Sequence, residues 1–265
     1  MRKTLLIAAA MSAAGLASAQ APVNTVPETF LPGYLAPATV DEPRILPAPP
    51  ERGLPRAEAD RAVFRDTRNL AGTPRYEAAL TDASDSVPET FKHFSCALGA
   101  EATPDALPKL AHLSGRVWTD IFNANDTGKV YFKRARPPAN DPGATCQALT
   151  ERDMTRDYPS GHASRAWIFA LILTELAPDR GNAILTRGRA AGESRVVCGV
   201  HNATAIEAGR VVGAAVLSQL HADPSFRADM DAARLEMTEY RRAAPAPDTA
   251  RCAAETALME PSPFH

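Results

Sequence analysis

Residues 159–178 read P-S-G-H-A-S-R-A-W-I-F-A-L-I-L-T-E-L-A-P. Ser160 is a helix-capping residue type and Pro178 is a stop, so Ser160 to Ala177 reads as one helix. Its middle, Ala166 to Leu173, is apolar all round, which places the helix at the centre of the protein. It is too short to span a bilayer. The first turn carries Gly161 and His162. Backbone N–H groups at such an end are unpaired and bind anions, and a glycine there lets a ligand approach closely.

The flanking sequence is also helical. Leu107 to Asn123 sets Leu107, Leu110, Leu113, Val117 and Ile121 on one helical face. Ala59, Ala62, Val63 and Leu70 recur at helical spacing until Pro74 interrupts. Asn202 to Leu220 and Asn182 to Val197 read as two more helices, and Pro224 opens an amphipathic one through about Arg242. Residues 137–159, with Pro137, Pro138, Pro142, Gly143 and Pro159, read as a long loop. There is no alternating strand pattern of useful length and no internal repeat. The predicted class is all-α, a single-domain helical bundle over residues 57–265. Residues 20–56, with prolines at 37, 43, 47, 49, 50 and 55, read as an extended arm.

Residues 1–19 are set apart. Arg2 and Lys3 precede an apolar run from Thr4 to Leu16, and Ala17-Ser18-Ala19 ends in small residues, the pattern of a secretory signal cleaved after Ala19. The signal holds two of the 29 basic residues and none of the 31 acidic ones, so a cleaved chain carries 27 basic residues and a formal charge of −4. That balance excludes nucleic acid and anionic membrane as general partners. Export makes the four cysteines, Cys96, Cys146, Cys198 and Cys252, candidates for two disulfides, and their spacing does not suit zinc. All three pairings are open on sequence grounds; Cys96–Cys146 with Cys198–Cys252 is the working expectation.

Three short blocks carry chemistry: K-V-Y-F-K-R-A-R-P from Lys129 to Pro137, P-S-G-H from Pro159 to His162, and S-R-V-V-C-G-V-H from Ser194 to His201. Together they supply three cations, a Ser-Gly turn and two histidines. A phosphate ester is an anion whose charge spreads over three oxygens in the transition state, so its transfer needs positioning and cations more than covalent machinery. Lys129, Arg136 and Arg195 suit that role. Each taken alone is a surface cation; order and company make the case. His162, in the first turn of the central helix, is placed to protonate a leaving alcohol. His201 is placed to attack phosphorus and form a phosphohistidine. His93, His112, His221 and His265 keep a structural reading. The inventory calls for no metal and no cofactor.

These blocks resemble the K-x6-RP, PSGH and SR-x5-H-x3-D pattern shared by lipid phosphate phosphatases, vanadium haloperoxidases and bacterial acid phosphatases. The chain is most similar to the secreted class A bacterial nonspecific acid phosphatases. G-Y-L-A-P at Gly33, L-P-A-P-P at Leu46, F-S-C-A-L-G at Phe94, Y-P-S-G-H at Tyr158 and G-E-S-R-V-V-C-G at Gly192 extend the likeness over most of the mature chain. The resemblance implies an all-helical fold, a periplasmic location, an acidic optimum, dimers, and metal-free hydrolysis of small phosphate monoesters. It implies His201 as nucleophile, His162 as acid, and Lys129, Arg136, Ser160, Gly161 and Arg195 as phosphate ligands.

One position departs from the pattern. The aspartate expected four residues after the nucleophile is Ala205. A carboxylate there would fix the imidazole tautomer, and its loss would cost roughly 10²–10⁴ in rate by analogy with the orienting carboxylate of a serine triad. Thr204 is the expected substitute, through its hydroxyl; Glu207 should point away. The sequence therefore predicts a slowed phosphatase that Ala205→Asp would accelerate. The alternatives are a catalytically weak or inactive phosphate-binding member of the same fold and, on a poorer match, a vanadate-dependent haloperoxidase. An assay of halide oxidation with added vanadate separates the last.

Overall fold

The computed structural model describes residues 31–84 and 86–264. The proposed signal, residues 20–30 of the arm, and His265 lie outside the described residues. Among the described residues the elements are α-helices joined by loops and short 3-10 turns, with no strand. The all-α expectation holds.

The helices are α1 (Glu42–Ile45), α2 (Pro55–Arg68), α3 (Pro74–Thr81), α4 (Val87–Leu98), α5 (Pro108–Phe132), α6 (Gly161–Leu176), α7 (Gly181–Val197), α8 (Ala203–Leu220), α9 (Pro224–Ala243) and α10 (Thr249–Met259). The stretch first quoted is α6, and it is central: it packs most extensively against α7 and α8. Ile168, Phe169, Ala170, Ile172 and Leu173 are all buried. Phe169 meets Trp118 of α5 and Phe94 of α4 edge-on, at ring separations of 5.8 and 5.2 Å, a geometry that aligns ring edge with ring face. The predicted face of α5, from Leu107 to Ile121, is fully buried.

Several helix starts follow from proline. Pro55, Pro74, Pro108 and Pro224 each occupy the first turn of a helix, where the missing N–H is not needed. Pro74 therefore opens α3 rather than merely ending α2. Thr73 caps it by accepting from the Tyr76 amide at 3.4 Å. Helices α4 and α10 are not among the helices expected from the sequence.

The largest correction to an element is α5. It runs nine residues past the expected end at Asn123 and carries Lys129 on its last turn. The A-N-D-T-G stretch has turn-forming residue types, but packing overrides them. The Asn125 amide is buried and donates to the Ile121 carbonyl at 2.8 Å. Gly128 sits where a Cβ would lie 2.8 Å from Cδ of Pro159 and 3.3 Å from Cβ of Glu42. The glycine is there for close approach of α5 to the Pro159 loop.

The disulfides also differ from expectation. Cys96 pairs with Cys252, tying α4 to α10, and Cys146 pairs with Cys198, tying the 137–159 loop to the end of α7. The loop returns across that end, and the Cys146 amide also donates to the Cys198 carbonyl at 3.0 Å. Among the described residues no helix is long and apolar enough to cross a membrane.

Gly128→Ala should lower stability by about 1–3 kcal/mol, the usual cost of overpacking, read as a fall in urea midpoint at unchanged slope. An unchanged midpoint would mean that the α5–Pro159 contact is not tight in solution.

Candidate active site

Each block is delivered by a different element, and α6 is their common neighbour. Lys129 comes from the last turn of α5, His162 from the first turn of α6, and His201 from the turn between α7 and α8. That turn is tight: the amides of Val200 and His201 both donate to the Arg195 carbonyl, at 3.1 and 3.3 Å. Gly199 makes it with φ +75°, a left-handed conformation that side-chain-bearing residues rarely adopt. A Cβ at Gly199 would also run into the Arg68 guanidinium.

Lys129, Arg136, Gly161, His162 and His201 line one cavity of about 230 Å³. Ile121, Phe122, Asp126, Arg152, Arg156 and Arg165 are among the residues completing its walls. Five of the seven site residues read from the sequence are thus brought together. The other two stand behind it. Ser160 is fully buried; its hydroxyl caps α6 by accepting from the Ala163 amide at 3.4 Å, and its own amide donates to the Ala205 carbonyl at 3.0 Å. Arg195 is also buried, with its guanidinium donating to Gln147 Oε1 at 2.5 Å.

Arg136 is held by the backbone. Its Nε donates to the Asp153 carbonyl at 2.8 Å and its Nη1 to the Val200 carbonyl at 2.6 Å. The same Nη1 lies 3.1 Å from His201 Nε2. A guanidinium only donates, so that imidazole nitrogen carries a lone pair. Lys129 donates to the Pro159 carbonyl. His162 Nε2 lies 3.2 Å from the Ala83 carbonyl; a carbonyl only accepts, so this nitrogen carries a proton and Nδ1 is the one that can exchange it.

Ser194 of the third block is a structural pin. Its hydroxyl donates to Asp82 at 2.6 Å and accepts from Arg75 at 3.1 Å. His93 lies 3.7 Å from the same Asp82, while His112 and His221 lie near Asp229 and Glu175.

The cations lower one another's affinity for protons. Burial, then Arg136 and Arg156, bring the Lys129 ammonium down to about 7. Burial and Arg136 bring Arg195 down to about 9. Burial, then Arg136 and Lys129, hold His201 well below its usual value. Burial, then Arg195 and His201, do the same to His162. A site so arranged is short of an anion.

A buried carboxylate from another segment reaches the His201 ring. Asp157, two residues before Pro159, is fully buried, and its Oδ1 lies 3.0 Å from His201 Nδ1. The same oxygen accepts from the Asn202 amide at 3.1 Å, and Oδ2 accepts from Asn202 Nδ2 at 2.9 Å and pairs with Arg134 at 3.2 Å. Asp157 is placed by its own amide, which donates to the Arg134 carbonyl at 3.1 Å. Burial pushes its carboxyl up, against the pull of Arg134 and Asn202. Sequence reasoning missed Asp157 because it searched forward along α8. Thr204, the expected substitute, is engaged by Asp60 at 2.5 Å and by Arg134 at 2.6 Å. Glu207 pairs with Arg56 at the surface, away from the histidine as expected.

Comparison with known proteins gives the family. Residues 113–227, which span all three blocks, match the PAP2 superfamily. The chain is 35% identical over 212 residues to an acid phosphatase of Zymomonas mobilis, covering 79% of this chain and 80% of that protein. It is 30% identical to a non-specific acid phosphatase of Salmonella typhimurium and 31% identical to one of Providencia stuartii, covering 81% and 83% of this chain and 87% and 89% of theirs. The chain belongs to the PAP2 superfamily, in its family of bacterial non-specific acid phosphatases.

If Lys129 is half-deprotonated near pH 7 in the empty site, inorganic phosphate should draw a proton onto it. Calorimetry at pH 7 in buffers of different ionisation heat should show more proton uptake for wild type than for Lys129→Met. The variant should bind phosphate on the order of 10- to 100-fold more weakly, the worth of one charged hydrogen bond. Equal uptake by both would mean that the lysine is already fully charged.

Proposed function

We propose that this protein is an exported acid phosphatase that hydrolyses small phosphate monoesters through a phosphohistidine on His201. The reading is carried by His201 Nε2, a lone-pair nitrogen 3.1 Å from the Arg136 guanidinium at the wall of a cationic cavity. The phosphoryl group would be held by Arg136, Lys129 and the backbone at Gly161, with Arg195 adding charge from behind and Ser160 shaping the turn. Nε2 attacks phosphorus as the ester P–O bond breaks. The bonding pair leaves on the alcohol oxygen, which takes a proton from His162 Nδ1. Water then attacks the phosphohistidine, the P–N bond breaks, and the water proton returns to His162.

His162 must be protonated for the first step, although the empty site disfavours that. A bound phosphate offsets the charges of Arg195 and Arg136 and restores its affinity for the proton. Acidic conditions favour the whole arrangement. Below about pH 7 Lys129 is a cation, while His201 remains neutral because its own value lies well below 6.5. As pH rises through 7, Lys129 loses its proton and its attraction for phosphate. The periplasmic destination and dimeric state remain part of this reading through the family resemblance and the N-terminal sequence.

Purified, oxidised protein should hydrolyse p-nitrophenyl phosphate at mildly acidic pH with a chelator present, and His201→Ala should abolish it. Rapid acid-free quenching should trap phosphate on the peptide containing His201. The alkaline limb of kcat/KM should fall near pH 7 and be absent in Lys129→Met, since this ratio reports the free enzyme. His162→Ala should cost alkyl phosphates about 10²–10⁴-fold and p-nitrophenyl phosphate much less, because its leaving group needs no proton. Phosphate binding without hydrolysis would instead establish the non-catalytic alternative.

A further inference from the structure

We propose that Asp157 is the positioning carboxylate for His201, doing from the loop before α6 what an aspartate at position 205 would do from within α8. The inference rests on the phosphohistidine reading for its kinetic consequence, but not for its geometry.

The argument starts from where position 205 lies. Asn202 is the N-cap of α8, so His201 is outside the helix and Ala205 is its third residue. A side chain at that third position reaches back to the N-cap amide, as the acidic member of a capping box does. An aspartate at 205 would therefore serve the Asn202 amide and the neighbouring His201 Nδ1. In this chain both of those donors are taken by one atom, Oδ1 of Asp157, at 3.1 and 3.0 Å. The second oxygen is held by Asn202 Nδ2 and Arg134. A carboxylate accepts and does not donate when ionised, so the proton shared with it sits on Nδ1 and the lone pair on Nε2. That is the tautomer already required by the Arg136 contact on the other side of the ring.

Arg134 joins the loop to the start of α8 and limits how Asp157 can turn. Its Nη2 donates to Asp60 Oδ2 at 2.6 Å, and Asp60 Oδ1 accepts from the Thr204 amide at 2.9 Å. Asp60 thus takes the Thr204 N–H of the helix start, leaving the N-cap amide and the imidazole to Asp157. Position 205 has no work left for a carboxylate. Ala205 is fully buried, and an acid introduced there would compete with Asp157 for the same two donors at close range, away from water. Like charges so placed destabilise each other.

The two positions should therefore be exchangeable but not additive. Asp157→Asn should lower kcat by roughly 10²–10⁴-fold, with KM for p-nitrophenyl phosphate changed far less, since an amide orients the ring less well and can select the wrong tautomer. Ala205→Asp alone should slow the enzyme. In the Asp157→Asn background the same substitution should raise kcat at least tenfold over the single variant. A structural role in bracing the loop would not predict this rescue, because the Arg134 contact is not restored.

A readout independent of turnover is the imidazole nitrogen NMR of histidine-labelled protein, with the His201 signals assigned by difference from His201→Gln. Wild type should carry the proton on Nδ1. Asp157→Asn should shift or mix the tautomers, and the double variant should return them. An Nε2-protonated His201 in wild type overturns the proposal, as does an Asp157→Asn protein with wild-type tautomer and kcat, or a folded double variant no faster than Asp157→Asn. A wild type with the expected tautomer but no hydrolysis would overturn the phosphatase reading and leave the positioning role standing. Should Asp157→Asn fail to fold, the wild-type tautomer decides.

Discussion

The Asp157 carboxylate is the point at which the candidate active site closes. Its donors arrive from three places: Arg134 after α5, His201 in the turn after α7, and Asn202 at the head of α8. Asp157 itself belongs to the segment leading into α6. The first and third sequence blocks therefore meet on one buried side chain, two residues ahead of the second. Burying a lone carboxylate is costly. Here the cost is offset by a guanidinium, an amide side chain, a backbone N–H and an imidazole, which together use its acceptor capacity. The central apolar helix makes this arrangement rigid, because α7 and α8 both pack on it and their connecting turn has little freedom.

The cations face a different constraint. Arg136 and Arg195 are almost wholly buried near each other, and Arg136 also lies near Lys129. Backbone carbonyls at Asp153, Val200 and Pro159 hold two of them in place without neutralising them. Carbonyl dipoles fix direction while leaving net positive charge for a ligand. Burial, together with the same crowding of cations, favours the neutral form of both histidines. Cationic charge and neutral imidazoles thus sit side by side in one cavity.

Much of this was legible in the sequence. The apolar run in α6 fixed its place at the centre, and the regular spacing from Leu107 to Ile121 fixed the buried face of α5. Five of the seven site residues converge on one cavity because short blocks in a fixed order encode local turns that the helices then bring together. What was not legible was long-range. The turn-like residues at 124–128 lie within a helix because Gly128 is needed for contact with Pro159. The disulfides could not be paired because cysteine spacing says nothing about which loop crosses which helix end. Asp157 was missed for the same reason: it is 44 residues from His201 in sequence and 3.0 Å away in space. Its proximity to the P-S-G-H block was the only available signal.

The position of the orienting oxygen can be specified without reference to any residue number. It is the point that can accept from both the N-cap amide of α8 and the imidazole beside it, and here a side chain from the segment before α6 reaches it. A pattern that demands an aspartate at fixed spacing would sort this chain with degenerate relatives. A search of coordinates for an acceptor shared by those two donors would keep it among the intact ones. Chains set aside as inactive for want of one acidic letter are therefore worth re-reading in three dimensions, beginning with the residues that precede the central helix.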